Sequence, residues 1–490
     1  MNQYWILMAI LLPMLGGVAV RILPYKKNWQ LYLFLETIML STSAIVWGLI
    51  LNGTTEVFHV VHFVNDLSIS FKIDGMTMVF AGLVSVLWPL ATLYAFEYME
   101  HHERQSTFFM FYSIAYGVTL GIAFASDMLT MYFFYELLTL STVPLVMHTL
   151  KREAVLATRK YLYFSLGGAA FALMGMVFIM VYGDTLEFTM GGVFSMDKIV
   201  GYENMLLWIY LFAFLGFGVK AAIFPLSEWL PTAGVAPTPV TALLHAVAVV
   251  KAGVFAIIRL TYYSFGIEFL RGTWVQNVVM ALAMFTTVYG CSRAVKETHI
   301  KRRLAYSTVS NLSYIIFGVS IMTPLGLVGA LCHMVCHAVM KICSFMCAGA
   351  FMHQTGKKYI FDMDGLGWKM PIVFCTLTFS GLGLMGVPGL AGFVSKWNLA
   401  AAAVDSKNPL AYAGIACLLV SALLTAIYMI SIVIRAFFPA WGFDREAIAG
   451  TTDPGWKMCV PIILCAVFTI VLGLFSTPLV DFFGTVAAGL

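Results

Sequence analysis

Apolar residues fill fourteen long stretches of this chain, separated by short polar segments. The apolar windows fall at 3–21, 31–51, 76–96, 107–125, 128–149, 161–182, 205–226, 238–263, 274–292, 304–321, 325–353, 371–403, 410–435 and 457–480. An uncharged run of this length is what a helix needs to cross a bilayer. In hydrocarbon the backbone must satisfy its own polar groups, and a helix does so within one segment. The pattern predicts an all-α polytopic membrane protein of about 14 transmembrane helices, a single integral membrane domain over 1–490. Windows 325–353 and 371–403 exceed the ~20 residues of a crossing, so they are expected to tilt, kink or break.

Composition agrees with the pattern. Of 490 residues, 61% are hydrophobic and 11% charged, whereas a soluble domain is about 45–50% apolar and about 25% charged. Charge then gives an orientation. With the N-terminus outside, nineteen of the 28 basic residues fall in inside loops, and only Lys72, Lys198, Arg271 and Lys407 fall outside. Such an excess follows the positive-inside rule. It implies a multi-pass protein with both termini outside; the membrane expected is a prokaryotic cytoplasmic one. The first window lacks a basic n-region and a small-residue cleavage site, so it is expected to span rather than act as a signal peptide. No nucleic-acid motif is present. Cys332, Cys336, Cys343 and Cys347 share roughly one helix face; small thiols in helix packing, rather than disulfides or a metal site, account for them.

Several ionisable residues remain inside the apolar windows. Each costs at least ~2.5–3.5 kcal/mol at bilayer centre and normally faces the bundle interior. Glu136 lies in an otherwise uncharged span. Lys220, His245, Lys251 and Lys396 lie in three others, and His333, His337 and Lys341 form an i, i+4, i+8 stripe on one helix face. One carboxylate cannot pair with four deep lysines, so static ion pairs do not explain the set. A relay of protonatable groups joined by internal water does. A buried lysine holds its proton loosely, a nearby carboxylate makes it hold tighter, and a movable partner makes a switch. Glu136 with Lys220 is the candidate pair. His333 has a second reading, a bond to a backbone carbonyl. Arg259, near a span end, reads as a snorkelling anchor, and Glu36 and Asp127 as solvated or packing residues.

Helix breakers adjoin two of these lysines. Pro225 follows Lys220, and Pro388 with Gly389 precedes Lys396. Non-helical backbone at membrane depth is tolerated only within protein or along a wet cavity, and paired interruptions mark the sites of inverted-repeat transporters.

The runs VKAAIFPLSEWLP (219–231), APTPVTALLHAVAVVKAG (236–253), KRRLAYSTVS (301–310), HAVMK (337–341) and GVPGLAGFVSK (386–396) resemble the antiporter-like subunits. That superfamily comprises membrane-arm subunits of respiratory complex I, Mrp-type cation/proton antiporters and membrane-bound energy-converting hydrogenases. The resemblance extends from about 74 to 428. It implies two inverted five-helix repeats, roughly 107–263 and 274–435, with a broken helix in each. It also implies a charged axis through Glu136, Lys220, His245, Lys251, His337, Lys341 and Lys396, in which the glutamate and first lysine are the coupling pair. Two departures stand out. Where the family often carries histidines near the loop after its seventh span, this chain has Ser227 and, at 232–234, Thr-Ala-Gly. It also ends soon after its fourteenth span, without the lateral helix of the largest complex I paralogue.

The function so implied is proton translocation by a subunit of a multisubunit ion-pumping complex, complex I-like or hydrogenase-like. The chain itself would carry no redox chemistry, no cofactor and no metal. Iron–sulfur or NiFe centres would belong to hydrophilic partner subunits, and homologous and small membrane subunits would be its neighbours. The alternative is an Mrp-type Na+/H+ antiporter subunit with no redox partner. A membrane cytochrome is disfavoured: no Cys-x-x-Cys-His occurs, and most deep histidines share one helix.

Overall fold

The computed structural model describes residues 3–25, 27–53, 55–63, 67–439, 443 and 446–489. Lys26 and Arg445, two of the basic loop residues counted above, lie outside them. Helices α1 (Tyr4–Ile22) and α2 (Asn28–Asn52) lead into an antiparallel hairpin, β1 (Phe58–His62) with β2 (Ser68–Phe71). There follow α3 (Gly75–Tyr98), α4 (Gln105–Phe124), α5 (Met128–Val146), α6 (Arg152–Tyr182), α7 (Met196–Ile199), α8 (Glu203–Lys220) and α9 (Trp229–Ala233). Next come α10 (Thr238–Ala246), α11 (Val249–Ile258), a π-helical turn Arg259–Phe265, α12 (Ile267–Leu270), α13 (Trp274–Lys296) and α14 (Ile300–Ser320). The chain closes with α15 (Pro324–Thr355), α16 (Pro371–Met385), α17 (Ala391–Asp405), α18 (Pro409–Phe437), α19 (Trp456–Leu474) and α20 (Thr477–Ala487).

Among the described residues, twelve helices are long and apolar enough to span a membrane, taking α10, α11 and the π turn together. Two more complete the expected fourteen. One is α14, too polar to count by hydropathy, yet buried at every position except Arg302. Its Ser307, Thr308, Ser310, Asn311 and Ser313 face neighbouring helices rather than lipid, which is why its composition misleads. The other is the pair α16 and α17, two short helices in place of the single window 371–403.

Helix ends follow local chemistry. Asp74, Asp127, Thr323 and Asn408 accept from the amides of Thr77, Thr130, Gly326 and Leu410 at 2.9, 2.7, 3.0 and 2.9 Å, satisfying donors that a helix start leaves free. Asp127 is thus a buried packing residue. The hairpin adds to this end of the bundle: Ser70 Oγ donates to the Asp127 carboxylate at 2.5 Å, and Lys72 Nζ to the Phe188 carbonyl at 2.5 Å. Of the two long windows, α15 runs unbroken for 32 residues, about 48 Å at 1.5 Å per residue, so it must overhang or tilt. The other breaks.

Arg259 corrects the sequence reading. It does not snorkel; its side chain is fully buried, and its two terminal nitrogens donate to the Asp74 carboxylate at 2.6 and 2.8 Å. The span that carries it is enclosed on all sides, so it offers no lipid-facing route for the guanidinium.

Candidate functional site

The first lysine ends a helix. Lys220 is the last residue of α8, and residues 221–228 continue as non-helical backbone through Pro225. Trp229 Nε1 donates to the Val219 carbonyl at 2.7 Å, capping an acceptor that the break frees. Lys220 Nζ lies 3.9 Å from Glu136 Oε1, donates to the Tyr135 carbonyl and sits 3.4 Å from the Tyr135 ring centroid. The glutamate–lysine pair expected from sequence is formed. It is asymmetric: the Lys220 side chain is 1% exposed and that of Glu136 23%, so the carboxylate sits toward the side of the bundle. The backbone of Lys220 is held by α11. A Cβ at Gly253 would lie 2.5 Å from the Ala221 nitrogen and 2.8 Å from the Lys220 carbonyl carbon. Gly253→Ala is therefore expected to push Lys220 from its seat and cut ion transport severalfold in membrane vesicles without loss of the subunit from the membrane. Unchanged transport would show that this contact does not set the lysine's position.

The second cluster is buried except at Lys396, which is partly exposed. Lys251 Nζ is 2.9 Å from His337 Nδ1. The His337 and His333 rings stack at 5.9 Å, one turn apart on α15. His333 Nδ1 is 2.9 Å from Ser395 Oγ, and its ring stacks on Tyr314 at 5.0 Å. His333 thus bridges toward α17, and a backbone contact to Asn311 keeps the carbonyl reading open beside it. Lys396 completes the row, its Nζ 5.2 Å from the same Tyr314 ring.

Lys396 also explains its own break. Gly386 and Gly389 have φ of 94° and 86°, a conformation that favours glycine. The amine reaches back to donate to the carbonyls of Leu384 and Met385 at 2.7 and 3.0 Å, the end of α16, where a cation suits the helix dipole. A Cβ on Gly386 would stand 3.0 Å from Lys396 Cδ. Pro225, Pro388 and Gly389 thus lie in true interruptions. The order is mirrored: Lys220 precedes its break and Lys396 follows its own.

A third interruption carries no proline or glycine. Between His245 and Lys251 the helix stops, because the amides of Val247 and Ala248 both bond to the Leu243 carbonyl at 2.9 and 2.8 Å. His245 therefore belongs to α10 and Lys251 to α11. His245 packs against Phe345, ring centroids 4.6 Å apart and tilted by 31°, and neither of its ring nitrogens has a hydrogen-bond partner among the described residues. Lys341, one turn before Phe345, donates to Ser307 Oγ at 2.7 Å, and Ser307 meets the Tyr428 hydroxyl at 2.5 Å.

The eight candidate residues therefore form three groups. Glu136 pairs with Lys220; Lys251, His337, His333 and Lys396 make a row; His245 and Lys341 lie beside it. Tyr135, Ser307, Tyr314, Ser395 and Tyr428 were not singled out in the sequence, where hydroxyls on apolar helices look like ordinary packing. The polar stretch of α14 was the one signal for Ser307 and Tyr314. Among the described residues, no group of three or more His, Cys, Asp or Glu side chains is arranged to hold a metal ion.

The fold is a bundle of apolar helices enclosing amines and imidazoles, with three backbone breaks. Residues 125–427 match the NADH:quinone oxidoreductase/Mrp antiporter transmembrane family, and residues 60–109 match the N-terminal family of complex I chain 5. The chain belongs to this family: it is an antiporter-like subunit of the complex I and Mrp kind. It is 26% identical over 498 residues to NADH-quinone oxidoreductase subunit N of Desulforudis audaxviator, covering 98% of both chains. It is 30% identical over 409 residues to a Na+/H+ antiporter subunit of Alkalihalophilus pseudofirmus, a match covering 80% of this chain and 49% of that longer one. In fold it matches chains of the Mrp complex from a Dietzia species (TM-score 0.84, 22% identity) and of an archaeal membrane-bound sulfane sulfur reductase (0.85, 23%). Each match covers 99% of this chain and 97% of the other.

Proposed function

We propose that this subunit carries protons laterally through mid-membrane, from the Glu136–Lys220 pair through Lys251, His337 and His333 to Lys396, and that partner subunits drive the movement. The observation that carries this reading is the row from Lys251 to Lys396, buried at every member but Lys396, which is partly exposed. It contains amines, imidazoles and hydroxyls but no carboxylate. Such groups exchange protons, whereas a hard cation such as Na+ calls for several oxygen ligands. His333 Nε2 and His337 Nε2 have no hydrogen-bond partner among the described residues, and buried polar atoms of this kind are where ordered water belongs. Glu136 is the switch: when its carboxylate moves away from Lys220, the amine loses the charge that holds its proton.

The mirrored order of break and lysine supports two inverted repeats, 107–263 and 274–435, each with one broken helix. Both termini would lie on the outer face of a prokaryotic cytoplasmic membrane. Iron–sulfur or NiFe centres would reside in hydrophilic partners, beside homologous and small membrane subunits. A second reading, an Mrp-type Na+/H+ exchanger with no redox partner, draws on the likeness to the Alkalihalophilus antiporter. Inverted membrane vesicles containing the whole complex separate the two, read with a dye that reports ΔpH. Acidification driven by an electron donor and independent of Na+ is expected. A pH change that needs added Na+ and no electron donor would replace this reading with the second.

A further inference from the structure

His245 and Lys341 lie off the lateral row, and their surroundings lead away from it toward one end of the bundle. Along α10, Thr238, Thr241 and His245 are spaced i, i+3 and i+7, so they share one face. Along α15, Lys341, Phe345, Gly349 and His353 recur every four residues and form the facing stripe. The two stripes meet: the Phe345 ring packs tilted against His245, and a Cβ at Gly349 would lie 2.4 Å from Thr238 Cγ2 and 2.4 Å from the Tyr94 hydroxyl. Gly349 is thus the one small residue that lets a threonine and a tyrosine hydroxyl stand against α15.

Above Thr238 the polar column continues. Thr238 Oγ1 donates to the Tyr98 hydroxyl at 3.1 Å. The Tyr98 ring stacks on His102 at 5.3 Å and meets His353 at 5.7 Å. Exposure rises in the same order. Thr238, Thr241 and His245 are fully buried, Tyr98 is 8% exposed, His353 is half-buried with a buried, unpartnered Nδ1, and His102 is open to the outside of the bundle. This end also bears Lys301, which donates to the Ala236 carbonyl at 2.8 Å and holds the entry to α10.

We propose that His102, His353, Tyr98, Thr238 and Thr241 form an entry column that delivers protons from the basic-loop end of the bundle to His245, and from there to Lys341 beside the lateral row. The inference rests on the proton reading above and gives it an access route. Each transfer is a hop that leaves no net charge behind. A protonated ring nitrogen gives its proton to the Tyr98 oxygen as Tyr98 releases its own to Thr238, Thr238 releases its own toward Thr241, and Thr241 releases its own to a ring nitrogen of His245, which has no hydrogen-bond partner among the described residues.

The test uses the intact complex in inverted vesicles and compares His353→Ala, Tyr98→Phe, Thr238→Val and Lys220→Ala. With His353→Ala, proton translocation is expected to fall on the order of tenfold, as when a positioned proton carrier is lost, and added imidazole is expected to restore most of it. Tyr98→Phe keeps the ring stack and loses only the hydroxyl, and is expected to slow transport similarly, as is Thr238→Val, which loses the hydroxyl at the next step. Wild-type rates in all three variants would overturn the column. So would a loss in His353→Ala that imidazole leaves untouched and Tyr98→Phe does not reproduce, because that pattern belongs to aromatic packing. The control keeps the two claims apart. If Lys220→Ala is inactive while the entry variants run at full rate, only the column fails; if Lys220→Ala is fully active, the relay itself fails.

Discussion

Lys220→Ala is expected to abolish ion translocation while the subunit still assembles with its partners. The amine is the only cation within salt-bridge reach of Glu136 among the described residues, and it sits where α8 gives way to non-helical backbone. Removing it leaves a partly exposed carboxylate, which can take up a proton, and an apolar bundle whose packing is otherwise untouched. The damage should therefore fall on transport rather than on folding. Glu136→Gln preserves shape and removes the charge that tightens the proton on Lys220, so it is expected to give the same loss. Native gel electrophoresis reports assembly and a ΔpH-sensitive dye reports transport. Full transport in either variant would remove these two residues from the pathway.

The largest effect on stability is expected at the other buried pair. Arg259 is fully enclosed and bonds both oxygens of Asp74. Breaking such a pair by removing one partner typically costs about 3–5 kcal/mol, because the other charge stays buried and unpaired. Asp74→Ala should destabilise by about that much, read as thermal unfolding of the purified complex, and Arg259→Leu by less, because Asp74 is 22% exposed and keeps Lys72 at 4.0 Å. The double variant should lose less than the sum, and strict additivity would mean that the two do not act as a pair.

The same pair makes an acid-sensitive latch. Burial would raise the Asp74 carboxyl, but the Arg259 charge and hydrogen bond, the Thr77 amide and Lys72 together outweigh it and hold the group at about 2. A free aspartate titrates at about 3.9. A folded-state value below the unfolded one means that stability is present above about pH 4 and is lost as pH falls toward 2. Asp74→Asn should lack this contribution, which a pH series of unfolding midpoints would reveal.

How much of this was legible in the residues differs from place to place. The spans were legible because apolar runs and loop charge are properties of composition. Lys220, Lys396 and their adjoining breaks were legible because proline and glycine announce themselves. The interruption at Val247–Ala248 was not, since neither residue prohibits a helix; only the doubled bond to the Leu243 carbonyl shows it. Arg259 was misread because nearness to a span end says nothing about which neighbours enclose the side chain. The hairpin 58–71 was missed because its short alternation resembles any polar loop. The stripe of His333, His337 and Lys341 could be drawn from spacing, but not that Lys251 would meet its middle member.

The composition of α14 has a consequence for how the protein is made. A segment enters the bilayer from the insertion machinery largely on its own apolarity, and α14 places five hydroxyl and amide side chains between Ser307 and Ser313 with three basic residues at its start. It falls short of what the twelve autonomous spans carry. Its entry must therefore be a shared event with α13 before it or α15 after it, whose surfaces cover its polar flank. The helix that lines the lysine row is also the one that cannot reach the membrane alone.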